Sequence, residues 1–149
     1  MLNIVLYQPE IPPNTGAVGR TCVATGCRLW LVRPLGFRID SKTLRRAGLD
    51  YWQHLDCRVV DSWDDLVRQA DDFQPWLFTK LATTSYLDVE YGKGDWLVFG
   101  AETTGLPPSI TKQFPDRLLR IPTSDKVRSL NLSNAVAIAT YEAMRQFGN

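Results

Sequence analysis

IVLYQPEIPPNTGAVGRTCVATGCRLWLV, residues 4–32, decides the fold. It opens on Ile4-Val5-Leu6-Tyr7, a short apolar run that reads as a buried strand, and Gln8-Pro9-Glu10-Ile11-Pro12-Pro13 breaks it into a loop. Asn14 is the expected N-cap of a helix running to about Thr25, with Gly26 as its stop. Leu29-Trp30-Leu31-Val32 is the next strand. The same alternation continues outward. Asp40 to Gly48 reads as a short basic helix closed by glycine, and Arg58-Val59-Val60 as a third strand. Ser62 opens a helix with Asp65 three residues on, a capping-box pattern, and Trp63, Leu66, Val67 and Ala70 recur at helical spacing. Trp76-Leu77-Phe78-Thr79, Trp96-Leu97-Val98-Phe99 and Leu118-Leu119-Arg120-Ile121 read as strands. A last helix from about Ser133 to Phe147 sets Val136, Ala139, Ala143 and Phe147 on one face. Strands alternating with helices predict one α/β domain over residues 1–149, a mostly parallel sheet with helices on both faces.

The composition narrows the function. Seventeen Lys+Arg against sixteen Asp+Glu leave a net charge of +1, so overall charge supplies little attraction for nucleic acid. A 44% hydrophobic and 22% charged chain is globular rather than disordered. No signal peptide or membrane-spanning run is expected. Three cysteines (Cys22, Cys27, Cys57) form no paired set, which suggests a reducing, cytoplasmic setting. Cys22 and Cys27 read as small apolar residues, and with His54 the sole histidine no metal site is expected.

Two familiar sites fail on inspection. Gly100-Ala101-Glu102-Thr103-Thr104-Gly105 has the two glycines of a phosphate-binding P-loop, but Leu106-Pro107-Pro108 replaces the required lysine and hydroxyl residue. A dinucleotide fold wants glycines after the first strand, where Pro9, Pro12 and Pro13 stand.

Three segments carry more glycine and small polar residues than turns and caps demand. They are Asn14 to Arg20, Phe99 to Pro107, and Arg120 to Thr123 with Ser129 to Ala135. Two of them follow strands, where ligands gather in open α/β sheets. On these residues the chain resembles an RNA 2'-O-ribose methyltransferase of the SpoU-like branch of the SPOUT superfamily. Asn14 to Arg20 is similar to the family's first motif, Gly100 to Pro107 to its second, and Ile121 to Ala135 to its third. The likeness extends to Leu2 to Tyr7, Pro9 to Pro12, and Leu44 to Tyr51, features of the small single-domain subgroup that acts on the wobble ribose of tRNA.

The resemblance implies a trefoil knot near the C-terminus, S-adenosyl-L-methionine as cofactor, a homodimer, and the tRNA anticodon stem-loop as partner. Carried over by position, the cofactor would meet Thr79, Lys80, Gly100, Glu102, Gly105, Ile121, Ser129 and Leu130. Arg20 would serve the transfer step by clamping a phosphate and stabilising the developing alkoxide, with Ser129 and Asn131 orienting the hydroxyl. A guanidinium stays protonated, so Arg20 is a poor proton acceptor. Lys42, Arg45 and Arg46 with Tyr51 and Trp52 offer phosphate contacts and stacking for RNA. The dimer is expected to use the last helix through Val136, Ala139, Ala143, Met144 and Phe147. Two rivals stay open: a non-catalytic RNA-binding or assembly module on the same fold, and a flavodoxin-like nucleotide-binding protein.

Overall fold

The chain starts in the middle of its own sheet. The computed structural model describes residues 1–39, 42 and 50–148. In order these form β1 (Asn3–Tyr7), α1 (Pro12–Thr25), β2 (Arg28–Val32), a 3₁₀ turn (Asp50–His54), β3 (Cys57–Val60), α2 (Trp63–Gln69), β4 (Pro75–Phe78) and β5 (Trp96–Phe99). The short α3 (Pro108–Thr111), a second 3₁₀ turn (Pro115–Arg117), β6 (Leu118–Leu119) and α4 (Leu132–Phe147) complete them. Every strand pairing is parallel, in the order β3-β2-β1-β5-β4-β6. From β1 the chain builds out to one edge through β2 and β3, and on the other side it returns inward to set β5 between β1 and β4. The expected α/β architecture holds; the expected basic helix at Asp40 to Gly48 falls largely outside the described residues.

Alternation along the strands divides the core between two faces. Ile4, Leu6, Leu29, Leu31, Leu97, Phe99 and Leu119 pack with Val18 and Cys22 of α1 and with Val136, Ala139 and Ala143 of α4. Val5, Trp30, Val32, Leu77 and Val98 pack on the opposite side with Trp63 and Leu66 of α2 and Ile110 of α3.

Several element ends differ from expectation. The N-cap of α1 is Ile11, not Asn14. Pro12 and Pro13 take the first helical positions, where a missing N–H costs nothing and the fixed φ suits the helix. Asn14 is thereby carried into the first turn, with its side chain free for another task. Gly26 closes α1 at φ 72°, as read. The Ser62 hydroxyl does cap α2, accepting from the Asp65 N–H at 3.1 Å. Thr79 lies just past β4, and β6 stops at Leu119, followed by a single bridge between Ser85 and Arg120. The last helix begins at Leu132, one residue before the expected start, because Asn131 caps it.

The expected apolar dimer face on α4 needs correction. Val136, Ala139 and Ala143 are fully buried in this chain's own core, and Met144 and Phe147 pack against it. The large apolar residues that α4 exposes are Ile138 and Tyr141.

Candidate functional site

Adjacent strands β1 and β5 send their following helices to opposite faces, α1 to one and α3 to the other. The loops leaving their carboxyl ends therefore part and open a crevice, the place where open parallel sheets bind ligands. Gln8 to Ile11 form one lip and Gly100 to Leu106 the other.

A carboxylate ties the lips together. Glu102 accepts from the backbone N–H of Glu10 and of Ile11, each at 2.8 Å, and from the Asn14 side-chain amide at 3.2 Å. Glu10 answers across the gap, accepting from the Thr103 hydroxyl at 2.7 Å and the Thr103 N–H at 3.1 Å. The Thr103 hydroxyl first, then its N–H, holds the Glu10 carboxyl below its ordinary range. Glu102 thus satisfies two N–H groups at the start of α1, where negative charge is favoured.

The third segment joins through asparagines. Asn131 donates its side-chain amide to Asn14 Oδ1 at 2.9 Å. Its own Oδ1 accepts from the Ser133 N–H at 3.0 Å, the Ser133 hydroxyl at 2.5 Å and the Asn134 N–H at 3.2 Å. Glu102, Asn14 and Asn131 form one relay linking all three motif segments. Glu102, expected as a cofactor contact, places both its oxygens in this relay, and Asn131 Oδ1 is committed to the α4 cap.

The second segment needs its glycines for self-contact. A Cβ on Gly100 would overlap the backbone of Gly105 and Leu106, and Gly105 sits at φ 66°. The loop closes with the Gly105 N–H donating to the Ala101 carbonyl at 2.9 Å. Gly100 is therefore required by the loop before any ligand is considered.

Arg20 stands apart from this cluster. Six residues beyond Asn14 on a helix is a rise of about 9 Å and a rotation of roughly 240°, and Asn14 is buried while Arg20 is exposed. The Arg20 guanidinium carbon lies 5.8 Å from the centroid of the Tyr51 ring. The Tyr51 hydroxyl donates to the Gly16 carbonyl of α1. Trp52, expected to stack on RNA, is instead half-buried against α1, where a Cβ on Gly19 would come within 2.7 Å of its ring. Arg20, Val23, Ala24, Asp50, Tyr51, Gln53 and His54 line an open hollow of about 500 Å³. Within one chain, no hydrogen bond, ion pair or ring contact among the described residues joins Arg20 to Ser129 or Asn131.

The remaining expected residues are distributed as follows. Thr79 is half-buried: its N–H donates to Leu119 O, and its hydroxyl accepts from Leu81 N. Lys80 is exposed. Ile121 and Leu130 are half-buried and Ser129 exposed; among the described residues their backbone groups make no hydrogen bond within the chain. Lys42 is exposed, while Arg45 and Arg46 lie outside the described residues. Among the described residues no group of His, Cys, Asp or Glu could hold a metal ion, and no helix is long and apolar enough to cross a membrane. Sequence reasoning missed Glu10 and Thr103. The only local signal was a glutamate between prolines, and its partner is far along the chain.

Together the sheet and its tied lips define an α/β protein with a crevice at the β1/β5 switch point. More particularly, the chain belongs to the SpoU rRNA Methylase family, whose model matches residues 1–141. It is 48% identical over 149 residues to a tRNA (cytidine(34)-2'-O)-methyltransferase of Saccharophagus degradans, covering 99% of this chain and 97% of that one. A protein of the same description from Burkholderia pseudomallei is 47% identical over 151 residues, covering 99% and 97%. A structure solved for insight into the 2-OH methylation of C/U34 on tRNA superposes at a TM-score of 0.93, with 45% identity and coverage of 99% and 96%. An AdoMet-bound rRNA methyltransferase from Sinorhizobium meliloti superposes at 0.87, with 26% identity, over 99% of this chain and 57% of that one.

Proposed function

We propose that this chain transfers a methyl group from S-adenosyl-L-methionine to the ribose 2'-hydroxyl of the wobble nucleotide, position 34, of tRNA. The observation that carries this reading is the Glu102–Asn14–Asn131 relay, which draws the three motif segments of a SpoU methylase to one switch point. The near full-length likeness to tRNA (cytidine(34)-2'-O)-methyltransferases supplies the substrate.

The residues fit the cofactor. Ile121 and Leu130 offer half-buried apolar surface, and the unbonded backbone groups of Ile121, Ser129 and Leu130 can read an adenosine edge and an amino-acid tail. When bound, the sulfonium supplies an electrophilic methyl. The chain must then hold the nucleophilic oxygen in line and stabilise it as its proton leaves. Ser129, exposed beside the cap, orients the hydroxyl. Asn131 holds that segment at the start of α4 rather than touching the hydroxyl through its committed Oδ1. Arg20 clamps a phosphate and stabilises the developing alkoxide. Lys42, Arg45 and Arg46 capture the RNA backbone.

Because Arg20 and Ser129 are not joined within one chain, the working enzyme is a homodimer in which one copy's α1 serves the other's crevice. The exposed Ile138 and Tyr141 of α4 supply apolar surface for that pairing. The C-terminal segment around the cofactor takes the trefoil knot of the wider superfamily, and the enzyme works in the cytoplasm.

The test is direct. Purified protein, S-adenosyl-L-methionine and unmodified tRNA are combined, and ribose methylation is mapped by mass spectrometry of nuclease fragments. A single 2'-O-methyl at position 34 is expected. Methylation elsewhere overturns the position-34 assignment, and none with a correctly folded protein that ignores the cofactor in calorimetry overturns the reading in favour of a non-catalytic RNA-binding module.

A further inference from the structure

Tyr51 offers RNA less than its place beside a basic segment suggests. Its hydroxyl is held by the Gly16 carbonyl, one turn before Arg20 on the same helix. One face of its ring carries the Arg20 guanidinium, 5.8 Å from the centroid. The ring is half-buried, and burial raises the phenol above its usual range, so it remains a hydrogen-bond donor at neutral pH. The turn that bears it is itself fixed, because Trp52 presses against α1 at Gly19 and Leu55 packs on the core. A base stacked on the occupied face would displace the guanidinium.

Arg20 needs such help. A long side chain on an exposed helix face samples many rotamers, and a charge that stabilises a transition state acts best when already in place. Among the described residues Arg20 has no ion-pair partner that could supply that order. An aromatic face restrains a guanidinium without neutralising it, whereas a carboxylate would compete with the phosphate or alkoxide.

We infer that Tyr51 is the positioning residue of Arg20, a ring pinned to the α1 backbone that holds the guanidinium ready over the hollow between α1 and the Asp50–His54 turn. This rests on the assignment of Arg20 to the transfer step.

The experiment is a double-mutant cycle on the full-length enzyme with tRNA and S-adenosyl-L-methionine. Tyr51→Leu should lower kcat and the single-turnover rate at saturating tRNA by about tenfold, in line with a cation–π contact, with KM for tRNA changed by less than about twofold. Tyr51→Phe keeps the ring and should recover most of the loss. In an Arg20→Ala background, Tyr51→Leu should have no further effect on the rate. A rise in KM at unchanged kcat would show that Tyr51 stacks on RNA and would overturn the inference. The same tenfold fall in the Arg20→Ala background would overturn it too, because Tyr51 would then act without Arg20. If Arg20→Ala alone leaves the saturated rate intact, the assignment of Arg20 fails instead. The Arg20 Nε–Hε NMR resonance gives a readout independent of turnover. Its ring-current shift should persist in Tyr51→Phe and vanish in Tyr51→Leu, and a resonance unmoved by Tyr51→Leu overturns the platform.

Discussion

The motif from Asn14 to Arg20 on α1 is held in opposite ways at its two ends. At Asn14 the helix is buried and tied to residues 88 and 117 positions away, through Glu102 and Asn131. At Arg20, less than two turns on, the side chain is exposed and rests on a single ring. The first end is joined by hydrogen bonds that include a carboxylate, and such bonds fix geometry because breaking one strands a donor. The second is held by a soft contact, and among the described residues no hydrogen bond occupies the guanidinium. A motif read as one unit in sequence therefore divides into an assembling half and an acting half. The division predicts that substitutions at the first end damage the fold and those at the second damage only the chemistry.

The largest effect should come from Gly100→Ala. The added methyl would overlap the backbone of Gly105 and Leu106, which no rotamer can relieve. We expect a loss of about 3 kcal/mol in urea unfolding, the scale of a severe overpacking, and no detectable methyl transfer. Wild-type stability in the Gly100→Ala protein would mean that the loop opens freely, and the first end would not be the rigid one.

Glu102→Ala comes next. It removes the acceptor for the Glu10 and Ile11 N–H groups and for the Asn14 amide. The expected destabilisation is about 2 kcal/mol, typical of losing hydrogen bonds to a charged group. Asn14→Ala made in the same background should add little, because the two residues share one relay. Full additivity in that double-mutant cycle would dissolve the relay into independent contacts.

How much of this contrast was legible follows from what each part depends on. Trp96 to Phe99 was read to the residue, because a continuous apolar run bounded by polar residues has one sensible assignment. The Ser62 cap was legible for the same local reason. The relay was not, since Asn14, Glu102 and Asn131 become neighbours only through the strand order. Local logic assigned Asn14 the N-cap, and two prolines displaced it by taking the first helical positions. On α4, helical spacing found the apolar face and could not say whether this core or a second copy covers it. The core covers it. The separation of Arg20 from Asn14 was calculable from helix geometry alone. The platform beneath Arg20 was not, because Tyr51 reaches α1 from beyond a second strand.

The strand that follows that platform can be probed by pH. The turn that carries Tyr51 leads into β3 at Cys57, whose thiol is pushed up to about 12 by burial, with Asp56 adding to the effect. A raised folded value means that the thiol stabilises the fold below the ordinary thiol range. That stability is lost as pH climbs from the unfolded value toward about 12. Between pH 8 and 9.5 the wild type should lose about 1 kcal/mol more than Cys57→Ala. Equal losses in the two proteins would place the Cys57 thiol in contact with solvent.

Arg20→Ala should disturb the fold least. Arg20 makes no ion pair among the described residues, and alanine is the better helix former. Unfolding free energy should therefore stay within about 0.5 kcal/mol of wild type, as for most surface substitutions. Cofactor affinity, measured by calorimetry, should also be unchanged, because Arg20 lies apart from Ile121, Ser129 and Leu130. Single-turnover transfer at saturating tRNA should nonetheless fall about a hundredfold, the usual cost of one preorganised electrostatic donor. Arg20→Lys should recover little of it, since an ammonium lacks the planar fork that can grip a phosphate and an alkoxide together. A stable Arg20→Ala protein with wild-type transfer but weakened tRNA binding would leave the contrast between Asn14 and Arg20 standing in structure. It would move the chemistry to Ser129 at the start of α4, with Arg20 reduced to docking.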